Sequence, residues 1–179
     1  LRQELLDRVK KDQDARFAMI AANPLGGKGE VDAKKRAETL EQLAKIDTDN
    51  CDWLKGVVDK TGWPGEARVG KDGAHAAWLL VQHADADRPF QKKCLELLEK
   101  AVAAKDAAAV DLAYLTDRVL VGEGKKQRYG TQLLTKDGKL TPQPVEDEAK
   151  LDERRKAIGL QPMAEYIKAA EAMYKGDKK

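Results

Sequence analysis

The chain has no serine, only two histidines and only two cysteines in 179 residues. The first absence removes every hydrolase whose nucleophile is a serine hydroxyl. The scarcity of the others narrows metal chemistry. Neither CxxC nor HExxH occurs, and His75 and His83 stand roughly 12 Å apart along a helix, too far to share an ion. Cys51 and Cys94 cannot build a disulfide framework by spacing, and a cysteine nucleophile would lack activating partners. Aromatics are 5% of the chain, and 33 Lys and Arg face 31 Asp and Glu in an interspersed pattern. Nucleic acid is therefore not an expected partner, because phosphate binding needs a basic stripe. No apolar run approaches the roughly 20 residues of a membrane span. No signal-peptide core follows Leu1, so a cytoplasmic location is the default expectation, and export through a segment upstream of Leu1 stays open. Leu25-Gly26-Gly27-Lys28-Gly29 lacks the GxxxxGK[ST] spacing of a phosphate cradle, and neither a cofactor nor a metal is expected.

What is present is helical periodicity. The length fits one domain, residues 1–179, with a single core. Ala74 to Lys93 is its organising stretch: Ala76 to Val81 is apolar on every side, so this helix must be wrapped by others, and it ends on Gln82, His83, Asp85 and Asp87. Before it, Leu5, Leu6, Val9, Phe17 and Ile20 mark a first helix over 1–22, closed by Asn23-Pro24. Gln13 and Arg16 intrude on its apolar stripe, and Asp12 lies one turn before Arg16. A second helix is expected over Val31–Ile46, broken by Asp47-Thr48-Asp49-Asn50, and a short third over Trp53–Val58, stopped by Gly62. Trp63, in the following turn, is either a packing lid or a ligand wall. The central helix is expected to start near Asp72 and end about Ala84.

Asp87-Arg88-Pro89 opens the next helix, with Phe90, Cys94, Leu97 and Ala101 as its buried stripe. Asp106 is expected to cap a helix through Val121, in which Asp117 shares a stripe with Val110, Tyr114 and Val121, and Arg118 sits beside it. A buried carboxylate needs a partner, either an arginine fastening two helices or a site. Tyr129 to Val145 alternates as a hairpin about Asp137-Gly138. Asp147 is expected to cap a helix ending at Gly159. Pro162 opens a last helix with Met163, Tyr166, Ile167, Ala170 and Tyr174 inward, and Lys175–Lys179 is expected to fray. The fold class is mainly α: a bundle of about seven helices with a small hairpin, about 129–145, in the C-terminal third.

Six segments carry a family resemblance: DQDAR (Asp12 to Arg16), Gly62-Trp63-Pro64, AAWLLVQHADAD (Ala76 to Asp87), FQKKCLELLEKAV (Phe90 to Val102), AYLTDRVLVGEG (Ala113 to Gly124) and QRYGTQ (Gln127 to Gln132). Together, and in that order, they resemble the bacterial domain-of-unknown-function family 6624 over most of the chain. The resemblance implies no activity, substrate or catalytic residue. It does gather the polar residues that intrude on apolar faces into shared motifs.

Two readings follow from the residue chemistry. In one, a polar pocket at the end of the central helix uses His83 as general base or acid, with Asp117 orienting the ring. Asp12, Gln13, Arg16, Gln82, Arg118, Tyr129 and Gln132 would supply hydrogen bonds, with Trp63 a candidate wall, and an arginine would meet a carboxylate or phosphate on a small polar metabolite or peptide end. A mixed metal set of His83, Asp85 and Asp117 is the weaker variant of this reading. In the other, the same residues form a structural network and the outer surface of a non-catalytic helical module meets a partner. Oligomeric state is open.

Overall fold

The computed structural model describes residues 1–22 and 33–175. The expectations for Asn23-Pro24, Leu25–Gly29, Val31 and the last four residues lie outside that range. Among the described residues there are seven α-helices and one two-stranded sheet, in the order α1 (Arg2–Ala22), α2 (Ala33–Thr61), α3 (Glu66–Gln82), α4 (Arg88–Ala103), α5 (Ala109–Gly122), β1 (Leu133–Lys136), β2 (Lys139–Pro142), α6 (Leu151–Ala157) and α7 (Met163–Lys175). No described helix is long and apolar enough to cross a membrane.

α3 is the hub. It packs against α1, α2, α4 and α5, as its all-round apolar run requires. Leu5, Leu54, Leu80, Leu98 and Leu115 meet around it, each at most 2% exposed. Burying one such side chain contributes about 1.5–3 kcal/mol, whereas a lone hairpin is marginal in water. The α3-centred core therefore carries the fold, and the hairpin rides on it.

The expected break at Asp47–Asn50 does not occur: α2 runs unbroken from Ala33 to Thr61. Asp and Asn break helices by competing for nearby backbone groups, and here α1 occupies them. Arg8 Nη1 donates to Asp49 (2.6 Å) and to the buried Asn50 (3.1 Å), and Arg16 Nη2 donates to Asp47 (2.6 Å). The Thr48 hydroxyl donates to the Ala44 carbonyl within the helix.

α3 begins at Glu66, ahead of the expected Asp72, and carries a break at Gly70 (φ 73°). Its first turn is capped from a distance: the Asp106 side chain accepts from the Ala67 N–H at 2.7 Å, and the Asp106 carbonyl from the Glu66 N–H at 2.9 Å. Asp106 thus caps α3 rather than its own downstream helix, which starts at Ala109 without a side-chain cap. The approach is close, since a Cβ on Gly65 would lie 1.9 Å from Asp106 Oδ2. At α4 the Asp87 side chain does cap, accepting from the Phe90 N–H, with Pro89 in the first turn. Leu98, rather than Leu97, joins Phe90, Cys94 and Ala101 in its buried face.

The hairpin is shorter than expected, with Thr135 opposite Leu140 and both Asp137 (φ 51°) and Gly138 (φ 73°) at positive φ. That pair of angles is what a two-residue type I′ turn needs. Residues 127–132 do not extend β1. Instead the Gln127 side chain imitates a strand, donating to the Gln132 and Gln143 carbonyls and accepting from the Gln132 N–H. Asp147 makes no side-chain cap and sits at φ 42° before a short 3-10 turn leading to α6. Arg155 of α6 is fully buried, donating to the Tyr129 carbonyl (2.5 Å) and the Gln161 carbonyl (2.7 Å), so it staples the loop, α6 and the entry to α7.

Candidate functional site

α1, α2 and the C-terminal end of α3 converge on one cluster. Asp12 is completely buried although it sits on a helix that is largely exposed. Its carboxylate collects the Gln13 amide (2.7 Å), Arg16 Nε (3.1 Å) and His83 Nδ1 (3.0 Å). His83 stands in the C-cap position of α3, where the helix ends and the ring can turn toward α1. Burial pushes the Asp12 carboxyl up, but the His83 hydrogen bond, the positive charge nearby and the Gln13 amide outweigh it and hold the group below its ordinary value. Asp47 goes the other way: its burial outweighs the Arg16 guanidinium, and its carboxyl is raised.

The tautomer of His83 follows from competition. Arg16 Nε also lies 3.1 Å from Nδ1, but one ring nitrogen cannot accept that bond while donating to Asp12. A fully buried carboxylate takes the donor, because leaving it short of partners is the costlier arrangement. Nδ1 therefore carries the proton toward Asp12. Nε2 makes no hydrogen bond among the described residues and is left available on a side chain that is 14% exposed.

His83, Arg16 and Arg118 form a partition between two hollows. The larger, about 690 Å³, is walled by α1 (Arg16, Met19, Ile20), α3 and α5 (Trp78, Gln82, Tyr114), the loop after α5 (Thr131, Gln132), the inner face of the hairpin and α7. The smaller, about 390 Å³, lies toward α2 and the 84–87 turn and includes Asp47, Cys51 and Asp85. Arg118 grips Asp85 through Nε (3.0 Å) and Nη2, and donates from Nη1 to Gln132 (3.0 Å). Gln82 is only 6% exposed, lines the larger hollow and makes no hydrogen bond among the described residues, its Oε1 being wholly enclosed. An amide left unpaired in that way carries a desolvation cost of about 1–3 kcal/mol.

The sequence-derived candidates separate into two groups. Asp12, Gln13, Arg16, Gln82, His83, Arg118 and Gln132 assemble at the partition or directly behind it. Asp117 does not orient His83. It is fully buried beneath the loop and accepts from the Arg128, Tyr129 and Thr131 N–H groups (2.7, 3.1 and 2.9 Å) and the Thr131 hydroxyl (2.9 Å). Its acceptor capacity is spent on that loop, which also replaces the expected arginine partner. Tyr129 contributes its backbone to this anchorage. Trp63 packs against the core. The set His83, Asp85 and Asp117 is not brought together, as Asp85 is held by Arg118 and Asp117 by the loop. Asp12, Asp47 and His83 do place ligand atoms within 4.8 Å of one another. However, Arg16 lies between the two carboxylates, with Nε on Asp12 and Nη2 on Asp47, so a guanidinium already supplies the cation that a metal would bring.

Sequence reasoning missed Asp47, which it assigned to a helix break, and the cleft wall on α7. The signal for the wall is present in the sequence: Tyr166, Ala170 and Tyr174 recur every four residues, a spacing that predicts an inward face. They face the larger hollow instead of the α3 core.

All 179 residues match the model of a family of unknown function, DUF6624. No curated protein and no solved structure matches the chain.

Proposed function

We propose, for a chain that belongs to the DUF6624 family and inherits no activity from it, that the larger hollow binds a small ligand with which His83 exchanges a proton. One observation carries this reading: a fully buried carboxylate engages Nδ1 of His83, and Nε2 has no partner among the described residues beside a 690 Å³ cleft. In this arrangement Asp12 holds the ring's tautomer and orientation, and stabilises the imidazolium when Nε2 takes up a proton. Arg16 Nη1 makes no hydrogen bond among the described residues, so it offers donors to a carbonyl or carboxylate. Gln82 lines the same end of the hollow.

The reading is tested by thermal-shift screening of a metabolite library against the wild type and His83→Gln. A ligand that binds only the folded state raises the melting temperature by mass action. Ligands of this cleft should stabilise the wild type markedly more than the variant. Equal shifts in both proteins would remove His83 from the site.

A second reading, a non-catalytic module with a structural polar network, is favoured for one part of the molecule. Asp117, Gln127 and Thr131 satisfy one another and the loop backbone, and we assign them to holding that loop.

A further inference from the structure

The polar partition occupies only one end of the larger hollow. Away from it, Trp78, Tyr114 and Tyr166 form an edge-to-face aromatic chain with ring centroids 5.8 and 6.2 Å apart. The Tyr166 hydroxyl donates to the Thr131 carbonyl at 2.8 Å and the Arg155 guanidinium lies over the ring at 4.9 Å, so Tyr166 lines the hollow with the ring surface these contacts leave. α7 continues this wall with Ala169, Ala170 and Met173 at helical spacing, and Met173 remains 48% exposed. Beside it the hairpin, whose second strand packs against α7, presents Leu133 and Leu140. A purely polar ligand would use the partition and leave this wall in water, while a hydrocarbon would leave unmet the Arg16 Nη1 and His83 Nε2 groups that have no partner among the described residues.

Resting on the His83 reading, we infer that the ligand is an acyl compound: a carboxyl or carboxamide head at His83 and Arg16, and a hydrocarbon body lying on the aromatic chain and α7. Both halves of the hollow are then used, and its volume falls within the roughly 300–1,000 Å³ common for small-molecule sites.

The test is calorimetric titration of the full chain with straight-chain alkanoates and, separately, alkanamides from two to ten carbons, the two arms distinguishing the charged from the neutral head. Affinity should rise about fourfold per added methylene until the apolar half is filled. Ala170→Trp should flatten that slope by filling the half that holds the chain, and Ala169→Trp, at an exposed position, repeats the test if the first variant folds poorly. His83→Gln should weaken every chain length by one common factor and leave the slope unchanged. His83-dependent binding of acetate or acetamide with no gain from longer chains would overturn the acyl inference alone. A slope indifferent to both tryptophan variants, or no binding by any member, would also overturn it. A tryptophan-sensitive slope indifferent to His83→Gln would overturn the His83 reading and the head-group assignment with it.

Discussion

Replacing Asp12 by Asn tests the cluster most severely, because the side chain keeps its size while losing its charge and one acceptor oxygen. Three donors, from Gln13, Arg16 and His83, converge on that carboxylate, which is 0% exposed. The substitution turns an amide NH2 toward at least one of them, so two charge-assisted bonds are lost or weakened. Bonds to charged groups are worth about 1.5–3 kcal/mol each, and breaking a buried pair costs about 3–5 kcal/mol in total. Because Arg16 and His83 keep some contact with solvent, about 3 kcal/mol is the expected loss. For a chain of this length each kcal/mol moves the melting temperature by about 2–4 °C, so a fall of roughly 6–12 °C should be seen. The pH dependence has a definite sign. The Asp12 carboxyl is held below its ordinary value in the folded protein, so its contribution is complete above the unfolded value near ~3.9 and disappears as pH falls through the lower folded value. Urea unfolding of both proteins, followed by tryptophan fluorescence, should give a clear stability difference at pH 7 and curves that converge as pH falls below about 4. A difference under about 1 kcal/mol at pH 7, the size of an ordinary exposed ion pair, or curves that fail to converge once the Asp12 carboxyl is protonated, would refute the reasoning.

Asp117→Ala should release the loop it anchors, destabilising the protein by about 3–5 kcal/mol, with the amides of Arg128, Tyr129 and Thr131 the first to lose hydrogen-exchange protection; unchanged protection there would contradict the assignment. Gly65→Ala should cost about 1–3 kcal/mol by overpacking against Asp106, in chemical denaturation; a neutral result would mean that the α3 cap moves freely. His75 is raised above its ordinary value by the hydrogen bond its ring donates to the Asp111 carboxylate, against the opposing effect of burial. Its stabilising contribution is therefore complete below the unfolded value near ~6.5 and lost as pH rises through the higher folded value. An NMR titration of the ring should show that elevation in the wild type and its loss in Asp111→Asn.

The helical framework was legible because it rests on local pattern. The apolar run Ala76–Val81 identified α3 as the hub, Asp87-Arg88-Pro89 marked the start of α4, and Asp137-Gly138 fixed the hairpin turn. Features decided by distant partners were not legible. Asp47–Asn50 reads as a break until Arg8 and Arg16 arrive from α1, and Asp106 reads as a cap for the wrong helix until α3 folds back onto it. The candidate site divides along the same line. Asp12, Arg16, Gln82 and His83 drew notice as polar intrusions on apolar faces, which is a local property. Which carboxylate meets His83 depends on packing, and the sequence favoured Asp117 over Asp12 because Asp117 sits in the more apolar segment. That apolar setting reflects an anchorage for the 127–132 loop.

The placement of one proton on the His83 imidazole decides whether its Nε2 can act in the cleft. Long-range proton–nitrogen NMR of the neutral His83 ring should show the proton on Nδ1, directed at Asp12, and an unprotonated Nε2, with the preference lost in Asp12→Ala. A wild-type ring carrying its proton on Nε2, or one insensitive to the removal of Asp12, would contradict the claim that α1 arms this side chain for chemistry in the cleft.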